Sequence, residues 1–175
     1  MERILPGALL VATDMSNVSI PAAVYAAELA QRINAPIVLL HVVSPKTIAD
    51  SVAEGRYADI YLSDVRGSLR WWFTRVVPAA ARTGVNVMAM ATVGQAEHEI
   101  LTVAQAVKPR MIVMGTHARA GLARTVVGSV TEGVLRHAPC PVLAIPPAAA
   151  DVAPAAVARG NGGRATATLS GAEPR

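Results

Sequence analysis

The stretch Met114–Thr131, MGTHARAGLARTVVGSVT, decides how this chain is read. Met111–Met114 (MIVM) is a short, wholly apolar run that suits a buried strand, and it ends at Gly115. Gly128 follows thirteen residues later, and a helix over about Ser129–His137 opens behind it. A helix N-terminus offers backbone N–H groups without an intrahelical acceptor and a partial positive charge, so it attracts phosphate. Gly128 lets the backbone approach a bulky anion with no Cβ in the way. Ser129 and Thr131 add hydroxyl donors, and Ser129 with Glu132 has capping-box spacing. Gly115, at the carboxyl end of its strand, leaves room for a ribose or phosphate. The plainer reading is that these glycines and the cap only turn the chain.

Outward from this loop, short apolar runs alternate with longer amphipathic ones. Ala8–Thr13, Pro36–Val43, Val85–Thr92 and Pro141–Ile145 read as further strands. Their near-continuous hydrophobicity suits strands covered on both faces. Ser16–Asn34, Asp64–Thr83 and Gln95–Val107 read as helices. In the second, Leu69, Trp72, Phe73, Val76 and Ala80 share one face, and Pro78 kinks or ends the last turn. In the third, Ile100, Leu101, Ala104 and Val107 face inward. Ser44–Ser63 is poorly periodic and reads as a long loop, with at most a short helix. Four strand–helix units closed by a fifth strand predict a three-layer α/β fold, an open, twisted, five-stranded parallel sheet with helices on both faces. In such sheets ligands sit outside the carboxyl ends of the strands where strand order reverses, so the end of strand one at Thr13–Asp14 should flank the loop.

Composition agrees with this. The chain has 175 residues, 53% hydrophobic and 16% charged, which excludes a disordered or fibrous protein. Aromatics make up only 3%, leaving the core to Val, Ile, Leu, Met and Ala. The single cysteine, Cys140, forms no internal disulfide and argues against a stapled secreted scaffold. The net charge of +4 comes from scattered Arg residues without interleaved aromatics, so no nucleic-acid partner is expected. No stretch reaches membrane-spanning length and the N-terminus lacks a signal-peptide core, so the expected location is cytoplasmic, with no membrane contact. Of the last 30 residues, 18 are Ala, Pro or Gly, which reads as a tail over 147–175 behind a domain over 1–146.

The pieces LLVATDMS, IVLLHVV, IVMGTHARAGL and GSVTEGVLRHAPCPVLAIP resemble the universal stress proteins across roughly residues 4–146. Members of the ATP-binding branch carry a glycine, two residues, a second glycine, nine residues, then Gly-Ser or Gly-Thr. Here Gly115 and Gly128–Ser129 stand at that spacing, and Ala118 replaces the middle glycine. The resemblance implies a Rossmann-like sheet of strand order 3-2-1-4-5, of the adenine nucleotide alpha hydrolase-like group. It also implies ATP, AMP or ADP as ligand, with Mg²⁺ held by the phosphates. Ala12, Thr13, Asp14 and Val42 would border adenine and ribose. Met114, Gly115, His117 and Ala118 would flank ribose and phosphates, and Gly128, Ser129, Val130 and Thr131 would cradle the triphosphate. A homodimer through the last strand, Pro141–Ile145, is implied as well.

Other residues have plainer readings. Asp14 serves equally as a helix cap. His41, inside an apolar strand, is expected to be a hydrogen-bonded structural group. His98 and His137 lack partners at zinc spacing. Gly133 inside a helix suggests close packing against a neighbour, and Trp71, off the apolar face, covers a loop or marks a partner contact. No phosphate-loop lysine and no nucleophile–base pair is legible, so no enzyme is expected, at most very slow ATP hydrolysis. Two alternatives to a regulatory nucleotide binder remain: a dimeric stress adaptor of the same family that binds no nucleotide, Ala118 marking a degraded site, and an adenylating enzyme of the broader fold group, for which a chain this short leaves little room.

Overall fold

The computed structural model describes Leu5, residues 7–116 and residues 128–147. The elements run β1 (Leu9–Ala12), α1 (Ile20–Ile33), β2 (Ile37–Val43), α2 (Pro45–Ala53), α3 (Ala58–Val76), α4 (Ala79–Arg82), β3 (Val87–Val93), α5 (Ala96–Val107), β4 (Met111–Gly115), α6 (Ser129–His137) and β5 (Val142–Ile145). A 3-10 turn, Asn17–Ser19, precedes α1. The strands form one parallel sheet of order β3-β2-β1-β4-β5, as expected. Strand bounds differ from the sequence reading by one or two residues.

Alternation along each strand divides the core. Leu9, Val11, Ile37, Leu39, Ala89 and Val113 face α1, α3 and α4. Leu10, Ala12, Val38, Leu40, Ile112 and Met114 face α5 and α6. The four residues of β1 are all buried, because helices cover both faces of the central strand. Small side chains let α1 lie close to the sheet: Ala22, Ala23, Ala26, Ala27 and Ala30 are buried beneath it. In α5 the inward set is Ile100, Val103, Ala104 and Val107, with Leu101 half-buried rather than buried as expected.

The reading of Ser44–Ser63 as a long loop is overturned in part: the short helix it allowed is α2, and the rest is mostly the start of α3. The Ser44 hydroxyl accepts the Thr47 N–H at 3.1 Å and Pro45 opens α2, while α3 starts at Ala58, six residues before the expected Asp64. The pattern was poor because α2 packs on α3 rather than on the sheet, and α3 reaches the core only through its later residues. Ser51 is the one buried residue of α2, and none of α3 is buried before Leu69. Few of their positions therefore need apolar side chains. The helix expected to run on to Thr83 ends at Val76. Val77 takes an extended conformation, as a residue before proline prefers, and α4 follows Pro78. That break moves the buried position from the expected Ala80 to Ala81.

Candidate functional site

The sheet order reverses between β1 and β4, where Ala12 lies opposite Met114. A cavity of about 370 Å³ opens there, at the carboxyl ends of the strands. Ala12, Leu40, Val42 and Met114 form an apolar floor, and Ala96 and Ile100 of α5 form one wall. Thr13, Asp14 and Ser19 line it from the β1–α1 connection, and Gly128, Ser129, Val130 and Thr131 line it from the start of α6. Ten expected positions thus meet on one cavity: Ala12, Thr13, Asp14, Val42, Met114, Gly115, Gly128, Ser129, Val130 and Thr131. His117 and Ala118 lie outside the described residues.

The first turn of α6 faces this space. Its first intrahelical bond runs from the Glu132 N–H to the Gly128 carbonyl at 2.9 Å, so the N–H groups of Ser129, Val130 and Thr131 have no intrahelical acceptor. The capping-box expectation fails. Gly128 is itself the N-cap, Ser129 is the first helical residue, and a glycine has no side chain with which to cap the turn. Glu132 pairs instead with Arg136 at 2.8 Å, one turn on. The mouth of the helix is therefore not closed by a capping side chain of its own.

Two of the expected roles change. Thr131 is buried, and its hydroxyl donates to the Gly115 carbonyl at 3.1 Å. It ties α6 to β4 rather than offering that proton to a ligand. Gly115 was expected to make room for a ligand. A Cβ there would lie 2.8 Å from the Val18 carbonyl oxygen and 3.4 Å from Ser19 Cα. The glycine is required by the β1–α1 connection, which crosses the end of β4 at this point.

That connection is organised around Asp14. Its Oδ1 accepts the Ser16 N–H at 3.0 Å, the Ser16 hydroxyl at 2.7 Å and the Ser19 hydroxyl at 2.5 Å. The carboxylate is thus a turn organiser that also lines the cavity. Met15 sits at φ 60°, a left-handed conformation costly for an unbranched residue other than glycine, and its N–H donates to Thr13 Oγ1 at 2.9 Å. Across the sheet the His41 ring, through Nδ1, donates to the Thr13 carbonyl at 2.8 Å. This is the structural role expected of His41, and it fixes the end of β1 against β2.

The sequence reading missed Ser19, Leu40, His41, Ala96 and Ile100 as lining residues. Leu40 was accessible in principle, since it shares strand parity with Val42. Ile100 was legible only as an inward-facing residue and Ala96 carried no signal, because only the packing of α5 on the sheet brings them to the cavity. Gly133 behaves as expected: the Glu97 carboxylate from α5 packs over it, and the His137 Nδ1 lies 3.2 Å from Glu97 Oε1. Trp71 is exposed. Burial pushes the Cys140 thiol above its ordinary value, only partly offset by a backbone hydrogen bond at Ile112. Among the described residues no three His, Cys, Asp or Glu side chains converge to hold a metal ion, and no helix is long and apolar enough to cross a membrane.

Known proteins share this architecture. The chain is 31% identical over 140 residues to universal stress protein MJ0531 of Methanocaldococcus jannaschii, covering 78% of this chain and 80% of that one. The structure of the universal stress protein UspA from Lactobacillus plantarum superposes with a TM-score of 0.61 at 26% identity, over 82% of this chain and 99% of that one. A universal stress protein from Archaeoglobus fulgidus, solved in complex with dAMP, gives 0.55 at 20% identity, over 82% and 99%. The model of the universal stress protein family matches residues 7–146, the stretch that builds the sheet and its cavity, and the chain belongs to that family.

Proposed function

We propose that this protein binds ATP or another adenine nucleotide in the crevice between β1 and β4 and acts as a regulator or sensor rather than an enzyme. The observation that carries this reading is the convergence of ten expected residues on one cavity with the start of α6 open onto it. The apolar floor of Ala12, Leu40, Val42 and Met114 suits a purine, and the first-turn N–H groups suit phosphates. The Archaeoglobus relative's complex with dAMP supports the same ligand class. Mg²⁺ would be held chiefly by the phosphates and water. The proposed domain spans 1–146, with 147–175 as a tail, and the proposed compartment is the cytoplasm, which a lone cysteine favours. The proposed homodimer forms through Pro141–Ile145: β5 is an outer strand that pairs with β4, and its other edge invites a second chain.

Calorimetry of the full chain with ATP and Mg²⁺ tests the reading, and saturable heat is expected. The discriminating variant is Ser129→Glu. Residue 129 is exposed and first in its helix, where an acidic side chain suits the helix dipole, so the fold is retained. The added charge faces the phosphates and should weaken binding at least tenfold. No heat and no thermal shift at millimolar nucleotide would remove the proposal. Binding that appears only in Ala118→Gly would establish the adaptor alternative.

A further inference from the structure

We infer that the outward face of α3 is an interface between two copies of this chain, packed antiparallel with Gly67 at the crossing point. The inference is independent of nucleotide binding. Tyr57, Ile60 and Trp71 are 77%, 56% and 67% exposed, far more than large apolar residues normally are. Ile60, Asp64, Gly67 and Trp71 form one stripe of α3 at spacings of four, three and four residues, about 17 Å long, and Tyr57, the extended N-cap residue, stands at its start. The opposite face of α3, carrying Leu69, Trp72 and Phe73, is the one that packs on the sheet.

Gly67 is unexplained within one subunit. It lies in the middle of a 19-residue helix, where glycine weakens the helix, and a Cβ there would meet nothing within 4 Å. No close neighbour and no positive φ requires it. A second helix crossing at that point accounts for it, because a small residue there lets the two axes approach, closely enough for two cysteines at the position to join.

The charges select a second copy, antiparallel, as the occupant. Asp64 stands three residues before Gly67 and Arg70 three after, while Asp59 stands eight before and Arg75 eight after. At 3.6 residues per turn Asp64 and Arg75 share one flank of the stripe, and Asp59 and Arg70 share the other. A two-fold axis through Gly67 reverses the order on each flank. On one flank Asp64 of each copy then lies about 7.5 Å along the axis from the partner's Arg75, and on the other flank Asp59 lies about as far from the partner's Arg70, spans that a long arginine side chain bridges. The same axis sets Trp71 against the small Ser63. A parallel pair would instead stack like charges. The surface also stands apart from the proposed β5 dimer, since α3 packs chiefly on β3, at the other edge of the sheet.

The test is cross-linking of full-length Gly67→Cys under mild oxidation. The parent, whose Cys140 is half-buried, and Thr102→Cys, at an exposed position of α5, serve as controls. The two residue-67 thiols meet on the axis, so this variant should form a covalent dimer at least about tenfold faster than either control. Adding Trp71→Asp, or Arg70→Glu with Arg75→Glu, should slow the reaction about tenfold or more, as loss of a central aromatic anchor or of flank pairing does. Reversing Asp59 and Asp64 to Arg in the Arg70→Glu/Arg75→Glu background should restore it. Cross-linking of Gly67→Cys no faster than Thr102→Cys would overturn the inference. So would an unchanged rate on adding Trp71→Asp, with circular dichroism showing both chains folded.

Discussion

Two glycine-to-alanine substitutions with opposite outcomes test the account of the site most sharply. In Gly115→Ala the new methyl lies 2.8 Å from the Val18 carbonyl oxygen and 3.4 Å from Ser19 Cα. Both neighbours are backbone, in a connection held by three hydrogen bonds to Asp14 Oδ1. It yields only by moving the whole turn. Overpacking of this kind costs about 1–3 kcal/mol. Alanine recovers about 0.4–1 kcal/mol by narrowing the unfolded ensemble, because Gly115 is not at positive φ. At the middle of those ranges the net loss is about 1.3 kcal/mol, a fall in Tm of roughly 3–5 °C for a domain of this size. In Gly133→Ala the new methyl runs closer still, into the Glu97 carboxylate. The obstacle there is the end of a side chain 42% exposed, which can swing into solvent. What is lost is a surface pairing with His137, worth under about 1 kcal/mol, and what is gained is helix propensity of about 1 kcal/mol. Tm should therefore stay within roughly 3 °C of the parent. Thermal melts of the three chains side by side decide the matter. If Gly133→Ala is destabilised more than Gly115→Ala, or Gly115→Ala melts with the parent, the assignment of Gly115 to the β1–α1 connection is wrong.

Thr131→Val removes the buried hydroxyl bonded to the Gly115 carbonyl and should cost about 1–3 kcal/mol in denaturant unfolding, with the slope unchanged. Ser44→Ala removes the cap of α2 and should weaken that helix by about 1 kcal/mol, read as faster amide exchange over Pro45–Ala53 than over α1. For Cys140, burial raises the thiol value in the folded chain, so the folded state holds that proton more tightly than the unfolded state. The stability cost is absent below the ordinary thiol value near 9.0 and grows as pH rises through it. Cys140→Ala should flatten the alkaline limb of the stability curve, and native Cys140 should alkylate more slowly at pH 8 than after unfolding.

The β-strands were legible because burial on both faces demands continuous apolar runs, and Leu9–Ala12 and Ile37–Val43 satisfy that demand locally. Pro78 marked the end of α3 for an equally local reason. α2 and the first six residues of α3 were not legible, since Ser51 alone is buried there and segments that bury so little need no regular apolar stripe. The site divides along the same line. Gly115 and Gly128 were found from spacing, but the backbone that Gly115 also makes room for was not legible, because Val18 is remote in sequence from the end of β4. The same holds for Thr131, whose partner carbonyl is sixteen residues back along the chain.

By itself, then, the order of apolar runs and glycines determined the parallel layered architecture and the end of the sheet at which a ligand would sit. These follow from backbone hydrogen bonding, burial and chain handedness, which act through short-range pattern. Only the tertiary structure decided which groups are spent on holding the cavity together and which remain exposed to it. Asp14, Thr131 and Gly115 line the cavity but are also committed to the scaffold, while the first-turn N–H groups of α6 and the floor of Ala12, Leu40, Val42 and Met114 are left facing the space. That division depends on distances between segments far apart in sequence, and no local pattern encodes them.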